Sequence, residues 1–110
     1  MRHVLAAALL ASVFAVQSSA ATTVTNANDS GPGSLRQALI DGLSVSPCTI
    51  AFNITGSKTI MLLSDLPATS CDIDGSTQPG YAGTPLIEVN GSFLPGISSH
   101  AITMHGGSIK

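Results

Sequence analysis

The strongest constraint on this chain is how its apolar residues are spaced after residue 47. They fall in short runs of period two, broken by clusters of Gly, Pro, Ser, Thr and Asn, with no helical periodicity between them. Residues 48–54 (CTIAFNI) place Cys48, Ile50, Phe52 and Ile54 on one face. Residues 59–63 (TIMLL) are apolar on both faces. Residues 71–74 (CDID) put Cys71 and Ile73 on one face and Asp72 and Asp74 on the other. Residues 85–91 (PLIEVNG) turn Ile87 and Val89 inward, and residues 101–106 (AITMHG) pair Ile102 with Met104. Strand starts recur roughly every 10 to 15 residues without intervening helices, which argues against alternating α/β units. Two all-β architectures fit: a small sandwich or barrel, and a solenoid of short parallel strands stacked rung on rung.

One helical segment precedes the strands, in SGPGSLRQALIDG (residues 30–42). Ser34 with Gln37 three residues on has the form of a capping box. Leu35, Ala38, Leu39 and Leu43 form an apolar stripe, and Gly42 is a helix stop. Two turns are too few to stand alone in water. Arg36 in the first turn and Asp41 in the last both oppose the macrodipole. Tertiary packing must therefore hold the helix. The expectation for Arg36 is a pairing with Asp29 or with free carbonyls of the first coil.

The 110 residues allow at most one domain. Residues 1–21 read as a signal peptide: a basic start (MRH), an apolar run over residues 4–16, and small residues before a cleavage point at Ala20 or Ala21. That run is shorter than the roughly 20 residues of a spanning helix. Export is the expectation, with no membrane span after signal removal. Beyond the signal segment, Arg36, Lys58 and Lys110 stand against six carboxylates. With no basic patch, no nucleic-acid partner is expected.

Cys48 and Cys71, 23 residues apart, both fall on inward faces. An even count in an exported chain suggests a disulfide. In a solenoid whose coil takes about that many residues, the two would stack at the roughly 4.8 Å spacing of adjacent strands, within the Cα range a disulfide tolerates.

The stretch TVTNANDSGPGSLRQALIDG resembles the start of the mature region in a group of secreted bacterial proteins with right-handed parallel β-helices of the pectin-lyase-like fold. DIDGSTQPGYAGTPLIEVNGS and IAFNI are similar to further segments of that N-terminal region, and HAITMHGGSIK to the next rung. The resemblance implies an N-terminal cap over residues 22–47, with a short strand and the helix at about 34–42. The first coils of the β-helix would fill residues 48–110. The ending GGSIK stands in mid-coil and reads as a truncated product or fragment, with further coils expected in a full-length protein.

Candidate chemistry is sparse. Asp72 and Asp74 are the best paired carboxylates, weak candidates for Ca²⁺ binding or glycoside acid–base work; turn chemistry already explains Asp74-Gly75. His100 and His105 lie on opposite faces of a strand and do not chelate one ion. No G-x-S-x-G occurs. Tyr81, in the loop QPGYAGTP, either stacks on a sugar ring or folds back over its coil. No cofactor or metal is expected. The leading expectation is a secreted or cell-surface structural or adhesive module facing polysaccharide or a cell-surface glycan. The alternative is the N-terminal fragment of a polysaccharide lyase or glycoside hydrolase, its active site elsewhere.

Overall fold

The computed structural model describes residues 21–95, 102–104 and 106–110. Residues 1–20 of the expected signal segment, including Ala20, lie outside the described residues, as do His100, Ala101 and His105; Ala21 begins the first strand. Among the described residues there are five short strands: β1 (Ala21–Val24), β2 (Thr49–Phe52), β3 (Thr59–Met61), β4 (Asp72–Ile73) and β5 (Glu88–Asn90). The α-helix α1 (Leu35–Gly42) falls between β1 and β2. Within the expected strand at residues 101–106, the described residues show an isolated bridge from Met104 to Thr69.

Every pairing among the described residues is parallel. One sheet has the order β1-β2-β4 and the other joins β3 to β5. Ala21 faces Thr49 and Val24 faces Phe52; Thr49 then faces Asp72 and Ile50 faces Ile73. In the second sheet Thr59 faces Glu88 and Ile60 faces Val89. After β2 the chain enters the second sheet as β3, returns to the first as β4, and enters the second again as β5. Two consecutive passes thus lay down strands in the same order and direction. A further bridge from Ile73 to Ile109 continues the first column.

Period-two alternation decides which residues meet inside. Ile50, Phe52, Ile54, Ile60, Leu62, Cys71 and Ile73 are all buried in one cluster with Val24. Ile87 and Val89 pack against it half-buried. Their outward neighbours Thr49, Asp72 and Glu88 are exposed. Leu63, apolar but outward, is 67% exposed, so the double-sided run 59–63 buries one face.

The entry to α1 is built by SGPGS. Gly33 adopts φ 82°, and a side chain there would collide with Thr25 Oγ1 and Asn26 Nδ2. Its carbonyl accepts from the Thr25 and Asn26 N–H groups. Ser34 is the N-cap, its Oγ accepting from the Gln37 N–H at 3.1 Å. The reciprocal half of the expected capping box is replaced. The Ser34 N–H donates to the Gly31 carbonyl, and the Gln37 amide reaches forward to Asp41 Oδ1. The Gly31 turn already occupies the donor that Gln37 would have satisfied.

Leu35, Ala38 and Leu39 are buried, as a packed stripe requires. Leu43 is not part of it: it is 65% exposed, and Gly42 takes the inward place in the last turn. Gly42 is no left-handed stop either, since the helix runs through it. The reason is the disulfide. A Cβ at Gly42 would stand 2.6 Å from both Cys48 Sγ and Cys71 Sγ, so only glycine lets the helix approach so closely.

Candidate functional site

Each singled-out residue that falls among the described residues has a defined setting. Cys48 and Cys71 are disulfide-bonded with a Cα separation of 4.6 Å. They immediately precede β2 and β4, whose register sets Thr49 beside Asp72, so the bridge extends the ladder by one step. That distance is the natural spacing of neighbouring strands, and bonding requires no backbone displacement. An oxidised pair is consistent with a compartment outside the reducing cytoplasm. No helix among the described residues is long and apolar enough to cross a membrane.

Asp72 and Asp74 are each engaged by a different neighbour. The exposed Asp72 accepts from Ser108 Oγ at 3.0 Å. Asp74 caps a short 3₁₀ turn (Gly75–Thr77), accepting from the Ser76 N–H and hydroxyl. The Ser76 hydroxyl bond holds the Asp74 carboxyl below its ordinary range, against opposing desolvation, with smaller help from the Ser76 N–H and the Lys110 charge. A carboxyl lowered in this way is a poor general acid. Among the described residues no cluster of three or more His, Cys, Asp or Glu is placed to hold a metal ion.

The same turn carries residues whose role the sequence did not declare. The Thr77 hydroxyl accepts from the Phe52 N–H at 2.8 Å and donates to the Asp74 carbonyl. Gln78, 2% exposed, accepts from the Ile54 N–H at 2.8 Å and donates to the Ile54 carbonyl at 2.9 Å. Its side-chain amide thereby takes the place of a peptide unit. β4 ends at Ile73, yet β2 finds further partners in Asp74 and Thr77, and Ile54 just beyond it in Gln78. Chemically this makes DGSTQ a structural splice in the sheet. The signal for it was a glutamine next to a proline in a turn rich in short hydroxyl side chains.

Arg36 makes four hydrogen bonds. Nε donates to the Asp29 carbonyl at 3.0 Å, one terminal nitrogen to Asp29 Oδ1 at 3.0 Å and the Ser64 carbonyl at 2.8 Å, and the other to the Asp65 carbonyl at 2.6 Å. Asp29 Oδ1 also accepts from the Leu63 N–H at 2.8 Å. The ion pair is partly shielded, with side-chain exposures of 14% and 19%. The Leu63 N–H and then the Arg36 guanidinium hold Asp29 below the usual carboxylate range, against the opposing effect of burial. Both expected kinds of partner, the carboxylate and free carbonyls, are therefore present. Together they bind α1 to residues 63–65.

Tyr81 is 39% exposed and borders an apolar cavity of about 130 Å³. Leu35, Phe52 and Ile73 also line it, with Leu86 and Ile102, so it is continuous with the core. Ser76, Tyr81 and Lys110 supply the polar side chains in its wall.

No family model, curated protein or solved structure matches the chain.

Proposed function

We propose that the chain is the capped N-terminal part of a right-handed parallel β-helix, serving as a structural or adhesive module outside the cytoplasm. The observation that carries the reading is the repeated pass: β2 and β3, then β4 and β5, with β4 parallel to β2, β5 parallel to β3 and Cys48 bonded to Cys71 at the matching position. Parallel strands joined through a crossover are almost always right-handed. A packed helix before β2 and a sheet spliced by Gln78 favour a scaffold built for persistence. Asp74 holds its own turn and Asp72 is tied to Ser108, which weighs against a hydrolytic role for this stretch. Its outward surface, from the Thr and Asp residues of β2 and β4 to the Tyr81 loop, would face polysaccharide or a cell-surface glycan.

The test is export followed by binding. Expressed from Met1 in a bacterial host, the chain should be recovered outside the cytoplasm, oxidised, with its N-terminus at residue 21 or 22 by mass spectrometry. The exported chain should then be retained on immobilised cell-surface polysaccharide. Cytoplasmic retention with an intact N-terminus sinks the localisation. Export without retention on any polysaccharide sinks the adhesive role.

A further inference from the structure

The disulfide lies directly under the last turn of α1. Its cysteines are 7% and 1% exposed, and the buried Gly42 rests against both sulfurs. Thiol–disulfide exchange requires a thiolate to reach one of those sulfurs. With α1 seated, its backbone occupies the space above them.

The attachment of α1 is local and separable. Its eight residues are too few for an independent helix, and its end charges oppose the macrodipole. It is held by the burial of Leu35, Ala38 and Leu39 and by the four hydrogen bonds of Arg36. None of the strand pairings runs through it. Helices held in this way open at lower free energy than the sheets they cover.

We propose that α1 is a lid over the Cys48–Cys71 bond, and that the bond exchanges with dithiols only when the lid lifts. In the open state a dithiol's thiolate attacks one cysteine sulfur and a mixed disulfide forms. The other cysteine leaves as a thiolate. The reagent's second thiol then displaces the protein sulfur, so the reagent becomes a cyclic disulfide and the protein gains two thiols. Two electrons pass from reagent to protein, and no other reactant is needed. The helix thus shields the bond from the thiols of other proteins.

The experiment uses the full oxidised chain with dithiothreitol, counting free thiols by alkylation and mass spectrometry across a urea series. Exchange in the folded chain should be at least a hundredfold slower than in strong urea. Below the unfolding transition its rate should rise with urea more gently than the global unfolding constant does. Arg36→Ala should speed exchange at least tenfold while the strand signal in circular dichroism persists, and Gly42→Ala should act in the same direction. Equal rates in folded and unfolded chain would overturn the lid, as would a folded Arg36→Ala variant with the parent rate. A urea slope matching global unfolding would overturn it too, and that comparison decides the matter alone if neither variant folds.

Discussion

At the scale of single residues, the most informative side chain is Gln78. A buried glutamine is costly unless every polar atom is satisfied, and here its amide pairs with both backbone groups of Ile54. Truncation would leave a buried donor and a buried acceptor without partners. The cost of such orphaned groups is about 1–3 kcal/mol each, and the pair is partly coupled through one side chain. Gln78→Ala is therefore expected to destabilise the fold by about 3 kcal/mol, read from the urea midpoint. A loss below about 0.5 kcal/mol, the range of ordinary surface changes, would show that water replaces the amide. Glycine argues similarly at position 42. Sequence alone reads it as a helix stop, whereas the sulfurs beneath it are what exclude a side chain.

At the scale of elements, α1 is the segment whose stability comes almost wholly from outside itself. Arg36 opposes the macrodipole in the first turn because it reaches away from the helix, to Asp29 and the carbonyls of Ser64 and Asp65. This gives the clamp a pH dependence of definite sign. The Asp29 carboxyl is lowered in the folded chain, so the native state holds fewer protons than the unfolded one in acid. Its contribution is present in full above the unfolded value near 3.9. It is lost as pH falls through the lower folded value. Asp29→Asn should accordingly flatten the acid limb of stability against pH, measured by urea unfolding between about pH 5 and 2. Parallel acid limbs in parent and variant would mean that Asp29 carries no charge-dependent part of the clamp. The element was legible in the sequence as an N-capped amphipathic helix, and a charge set against the macrodipole pointed to Asp29 or free carbonyls as the partners of Arg36; which carbonyls it reaches was not legible.

At the scale of the whole molecule, short parallel strands bring together residues far apart in the chain. The covalent tie between passes should then matter more than any one strand. A disulfide closing a loop of this length contributes on the order of 3 kcal/mol, chiefly by restricting the unfolded chain. Replacing both cysteines by Ala should lower stability by about that amount while leaving the parallel pairings in place. Calorimetry with hydrogen exchange at β2 and β4 checks both parts. Loss of protection in both strands would instead make the bond a condition of folding.

The sequence by itself determined the strand faces, the helix start at Ser34 and the candidate cysteine pair, because alternation and capping are encoded by neighbours a few residues apart. It held the resemblance to parallel β-helices, and it left a sandwich or barrel open beside them. Parallel pairing, the splice of β2 and Ile54 through Thr77 and Gln78, the reach of Arg36 to the Ser64 and Asp65 carbonyls and the seat of Gly42 on the disulfide were decided by tertiary structure alone. Each joins groups more than twenty residues apart or turns on the space left by another segment. Local pattern states which side of a strand faces inward, but only packing states what it meets there.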